Sequence, residues 1–60
     1  MEKKFIGPED LADWLQVSLR TIQQWRHRRQ GPPYVRLSHR QVRYAVDDVE
    51  SWLATRSSAY

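Results

Sequence analysis

Apolar positions recur along the chain in short groups, and each group carries the spacing of one element. Leu11, Trp14 and Leu15 share the apolar stripe of a helix over Pro8 to Leu15. Gly7 suits the N-cap, and Pro8 sits at the first helical position, where a missing N–H costs nothing. Glu9 and Asp10 favour the positive end of the helix dipole. Ile6 and Leu11 have the spacing of a hydrophobic staple. Gln16 and Val17 form a tight connection, after which Ser18 is a good cap for a second helix over about Leu19 to Arg29. Val17 and Ile22 repeat the staple spacing. Ile22 and Trp25 mark the buried stripe of this second helix, and Arg20, Gln23, Gln24 and His27 occupy its opposite face. Gly31 is expected to end the helix, and Pro32 and Pro33 forbid its continuation.

The period then shortens to two. Val35 and Leu37 alternate with Tyr34 and Arg36, and after the polar stretch Ser38 to Gln41, Val42 and Tyr44 alternate with Arg43. This predicts a two-stranded hairpin with an apolar inner face and an arginine-bearing outer face. The loop lacks an Asn-Gly signature, so the pattern leaves the register open. A third helix is predicted from about Val46 to Arg56, with Ala45 as a poor cap and Tyr44 and Val49 at staple spacing. Asp47, Asp48 and Glu50 crowd its positive end, and Val49, Trp52 and Leu53 face the core. The expected architecture is helix, helix, hairpin, helix: mainly α with a small β-hairpin, in one domain over residues 1–60. Ser57 to Tyr60 are expected to fray.

A chain of 60 residues has a thin stability margin, because a domain of that size buries only about 60% of its unfolded surface. With no cysteine there is neither a disulfide nor a thiolate metal site, and three Trp, three Tyr and one Phe must supply much of the core. No apolar run is long enough to cross a bilayer, and the first ten residues lack the apolar segment of a signal peptide. The expectation is a soluble, cytoplasmic protein.

Charge changes the picture more than composition does. The net charge is +3, yet no acidic residue lies between Trp14 and Val46. That stretch holds Arg20, Arg26, Arg28, Arg29, Arg36, Arg40 and Arg43 and both histidines. A block of this kind attracts a polyanion; a solvated basic surface without a partner is the plain alternative. The cations coincide with the pattern just described. The segment Leu11 to Trp25 joins two helices by a very short turn, and one helix fits the major groove of B-DNA. Arg20, Gln23 and Gln24 lie near the start of the second helix and are of the types that bond guanine and adenine edges. Ser18 and Thr21 can bond phosphates or bases, and His27 and Arg28 extend the same surface. The hairpin offers Arg36, His39, Arg40 and Arg43 to the backbone or the minor groove. Those charges also protect an exposed strand from edge pairing.

Other chemistries find little support. Ser38-His39 and Asp47-Asp48 come with no nucleophile elbow or oxyanion motif, so no enzyme and no catalytic residue is expected. His27, His39, Asp47 and Asp48 match no metal-ligand spacing, and no cofactor is implied. A membrane-surface helix over residues 19–29 would have only Leu19, Ile22 and Trp25 for its apolar side, too narrow once the core claims them.

The run LADWLQVSLRTIQQWRHRRQGPPYVRL, followed by VRYAVDDVESWL, resembles the excisionase-type, MerR-like winged helix-turn-helix domain. The likeness covers about Ile6 to Leu53: a Leu-x-Val-Ser helix end, an Arg-Thr-Ile recognition helix with a downstream Trp, a Pro-containing turn, two Val-Arg strands and an Asp-Val-Glu-x-Trp-Leu terminal helix. Gly7 and Ala45 depart from it, since polar caps are usual at both places. The resemblance implies that Ser18, Arg20, Thr21, Gln24 and the wing residues Arg36, Arg40 and Arg43 meet double-stranded DNA. It further implies a small phage excisionase, or recombination directionality factor. Such a protein binds repeated sites beside an attachment site, bends the DNA and helps an integrase excise the prophage. It would be nucleoid-associated, with integrase and other copies of itself as partners. A small prophage transcription regulator of the same fold is the alternative, and a basic adaptor holding an acidic protein is a third reading. Cooperative binding also has a physical motive, because one such module buries only about 600–1,000 Å² on DNA. Trp14 is expected in the chain's own core, with contact to a neighbouring copy as the lesser possibility.

Overall fold

The computed structural model describes residues 4–56; the expected fraying of Ser57 to Tyr60 lies outside them. Strand β1 (Phe5–Ile6) leads into helix α1 (Pro8–Leu15), then α2 (Leu19–His27), strands β2 (Val35–Ser38) and β3 (Gln41–Ala45), and helix α3 (Val46–Arg56). Gly7 caps α1 in an extended conformation without a side-chain bond, and Leu11 N–H donates to its carbonyl at 3.0 Å. Ser18 caps α2: its Oγ accepts the Thr21 N–H at 3.1 Å.

Both early helices stop in the same way. Val17 N–H donates to the Ala12 carbonyl at 3.0 Å and Gln16 N–H to the Asp13 carbonyl at 3.2 Å, around Gln16 at φ 60°. At the end of α2, Gln30 N–H donates to the Trp25 carbonyl at 2.7 Å and Arg29 N–H to the Arg26 carbonyl at 3.2 Å, around Arg29 at φ 57°. Each is a Schellman closure, which satisfies the orphan carbonyls through one left-handed residue. Helix α2 therefore ends at His27, short of the expected Arg29, and Arg29 takes the position expected of a glycine. Gly31 comes two residues later, at φ 83°.

The hairpin gains a third strand. The sheet is antiparallel in the order β1-β3-β2, with Phe5 opposite Ala45 and Ile6 opposite Tyr44. Ala45 is thus a buried strand residue, and the Val46 N–H that opens α3 donates to the Lys4 carbonyl at 2.9 Å. A tertiary backbone contact stands where a polar side chain would otherwise cap the helix.

The core consists of Leu11, Ala12, Ile22, Val42, Tyr44 and Val49, with Ile6, Leu15, Val17, Trp25 and Leu53 packed around it. Two expectations fail here. Trp14 is 41% exposed, and the small Ala12 takes its place in the core. In β2, Val35 and Leu37 are exposed, Leu37 at 59%. Register explains the second failure: Arg36 pairs with Val42 and Val35 with Arg43, with an irregularity between Arg36 and Ser38. Residues opposite one another share a face, so Arg36 is turned to the helix side and Val35 lies with Arg43 outside.

Candidate nucleic-acid interface

The surface opposite the core is made by α2. Ile22 is fully buried and Trp25 half-buried, which turns Arg20, Gln23, Gln24 and His27 to solvent; all four are exposed. Arg28 is exposed at the C-cap. Ser18 and Thr21 bond each other, Oγ to Oγ1 at 3.0 Å, so the cap is formed before any ligand arrives.

Charge is arranged around the helix start. The first turns of α1 and α3 carry Glu9 and Asp10, and Asp47 and Asp48; that of α2 carries no acid. The positive end of the α2 dipole is left to be matched by an anion from outside. Its last turn holds Arg26 and His27.

The wing divides its cations. His39 and Arg40 are exposed at the tip, where Arg40 N–H donates to Ser38 Oγ at 3.4 Å. Arg36 lies across a cleft from α2, lined by Gln23, Arg26, His27, Arg29, Tyr34 and Arg36. Tyr34 there is seated on Tyr44 with ring centroids 6.0 Å apart. Arg43 is set apart. It is half-buried on the far face of the sheet beside Phe5, Val35 and Leu37, and its Nη1 donates to the Val42 carbonyl at 2.8 Å. The structure thus brings Gln23, His27 and Arg36 to one cleft, sets Ser18, Arg20, Thr21, Gln24 and Arg28 along α2 and its ends and His39 and Arg40 at the wing tip, and puts Arg43 on the far face of the sheet.

Two residues of this surface, Arg26 and Arg29, are counted in the basic block of the sequence but are not placed at the site by it. Arg26 follows Ile22 by four residues, so it flanks the buried stripe and reaches under the wing. A cation at that spacing from a core residue was the available signal. Arg29 depends on the left-handed closure, for which an arginine gives no cue. Behind the surface, Trp25 packs on Trp52 with centroids 5.4 Å apart, and the Arg56 guanidinium lies 4.7 Å over the Trp52 ring. These contacts brace α2 from the side facing away from its exposed row.

Among the described residues no group of three or more His, Cys, Asp or Glu is placed to hold a metal ion, and no helix is long and apolar enough to cross a membrane. A family model for a helix-turn-helix domain matches residues 5–57. No curated protein and no solved structure matches the chain.

Proposed function

The chain belongs to the helix-turn-helix domain family, a DNA-binding fold, and from that premise we propose that it reads a specific duplex sequence with α2 and steadies itself with the wing. The carrying observation is the single exposed row Arg20, Gln23, Gln24 and His27 on a helix whose first turn has no acid. In the major groove, Arg20 offers a bidentate pair to guanine, and Gln23 and Gln24 offer pairs to adenine. Arg40 and His39 at the wing tip reach the neighbouring minor groove or its phosphates. The role is one of binding rather than catalysis.

Within this reading we propose the MerR-like subtype and an excisionase role. The chain would occupy repeated sites beside an attachment site, bend the DNA and assist an integrase. The support is the motif series from Leu15 to Leu53 and the three-helix, three-stranded arrangement that carries it. Bending costs of the order of 1–6 kcal/mol, which several copies bound side by side can share.

Footprinting on the attachment region tests the binding site. An excision assay with the cognate integrase, run with the neighbouring promoter silent, separates the excisionase from a prophage regulator. Recombination without transcription is the expected result, and a footprint confined to a promoter with no effect on excision overturns the narrower role. Salt dependence separates DNA from an acidic protein partner, since log K for duplex DNA falls by about 0.9 per phosphate contact per tenfold rise in salt.

A further inference from the structure

The cleft between α2 and β2, about 410 Å³ in volume, gathers Arg26, Arg29 and Arg36 with His27, Gln23 and Tyr34. Among the described residues no carboxylate lines it. One nitrogen there stands out: Nη1 of Arg26 is buried and has no hydrogen-bond partner among the described residues. A buried donor on a charged group is costly when unsatisfied, and the exposed Arg29, His27 and Arg36 around it add no counter-charge. A buried group of this kind calls for a partner, and an anion entering the cleft would supply one.

We propose that this cleft is an oxyanion socket that grips one phosphodiester of the DNA backbone, with Arg26 at its base. The inference rests on the DNA-binding reading and adds a ligand class and three residues to it. Two elements, α2 with its closing turn and β2, build the socket. Arg26 is placed by its helical spacing from Ile22, Arg29 by the left-handed closure of α2, and Arg36 by its register opposite Val42. Guanidinium forks bond phosphate oxygens in pairs, and here three of them converge from two sides. Topology names the phosphate. With α2 in a major groove and the wing tip in the adjacent minor groove, the backbone strand separating those grooves must pass between α2 and β2, over this cleft. A phosphate held there fixes the register of α2 on the base edges without reading sequence itself.

The test uses the full chain and a duplex carrying the footprinted site, with uncharged methylphosphonate linkages introduced one at a time. One linkage beside the contacted bases is expected to weaken wild-type binding about tenfold or more. Arg26→Gln should lose a similar factor on unmodified DNA and be indifferent to that linkage, while keeping its sensitivity to the others. Arg36→Gln should behave alike, which covers a failure of Arg26→Gln to fold. Relief of the unsatisfied guanidinium should leave the Tm of Arg26→Gln no lower than that of wild type. A second arm titrates the protein alone with pyrophosphate against chloride at equal ionic strength, following the arginine Nε–H resonances; a saturable shift of Arg26 is expected. Normal duplex binding with undiminished linkage sensitivity in both variants overturns the socket and spares the DNA reading. A saturable pyrophosphate shift without duplex binding assigns the socket to free phosphate and overturns both its DNA assignment and the DNA reading.

Discussion

Gly31 lies against the face of Trp25 so closely that a Cβ built on it would stand 2.8 Å from Cε3 of the indole. Gly31 also has φ 83°, a conformation that costs an L-residue about 1–2 kcal/mol. Contact and conformation point the same way. The turn after α2 is drawn onto the tryptophan that braces that helix, and only a residue without a side chain fits.

Gly31→Ala is therefore expected to destabilise the domain by about 2–5 kcal/mol, summing the left-handed penalty with an overpacking term. Thermal denaturation followed by circular dichroism checks it. A Tm within two or three degrees of wild type would show that the turn relaxes away from Trp25.

Arg29→Gly should act in the opposite sense on stability. Arg29 holds the left-handed position of the Schellman closure, so glycine is expected to gain up to about 1 kcal/mol. The same change removes a cation from the cleft, and duplex affinity should fall as Tm rises. Chemical denaturation beside a binding titration reads both; parallel movement of the two would contradict the separation.

Two tryptophans that look alike in the sequence should behave differently. Trp25→Ala is expected to cost about 3 kcal/mol and leave the domain largely unfolded, given its thin margin. Trp14 is exposed, and its change to Ala should cost less than about 1 kcal/mol. Urea titration of both variants decides the matter, and comparable losses would place Trp14 in the core after all.

Base reading and backbone binding give distinct signatures. Arg20→Ala or Gln24→Ala should cost about 1–3 kcal/mol on the cognate site and relax preference at one position. Arg40→Ala should weaken cognate and random DNA alike and reduce the salt slope by about one. Competition assays over a range of salt concentrations separate these, and equal loss on cognate and random DNA for Arg20→Ala would remove its base-reading role.

What was legible in the sequence was local. Gly7 with Pro8, and Ser18 before Leu19, announce their helix starts, and the structure begins α1 and α2 at those places. The bounds of α1 and α3 agree with their apolar spacing. What was hidden depends on partners far along the chain. Strand β1 has only two residues, too few for any period, and exists because Phe5 and Ile6 meet Ala45 and Tyr44. The phase of β2 is set by its pairing with β3 rather than by its own alternation, so Val35 and Leu37 read as core residues and are not. Trp14 has helical spacing from Leu11 but lies on the flank, where the close contact is made by Ala12. For the interface, the exposed row on α2 followed from the position of Ile22. The cleft did not, because it needs Arg29 left-handed and Arg36 on the helix side of the sheet at once.

Strand β3 is clasped along both edges, by β1 on one side and β2 on the other. The wing is thus no free flap: its angle to α2 is set partly by a two-residue strip on the far edge of the sheet. Loosening that strip, for instance at Ile6, would let the whole arm tilt like a lever on a worn pivot. The arm would then meet a duplex at the wrong pitch, and its grip would fail at a distance from the fault.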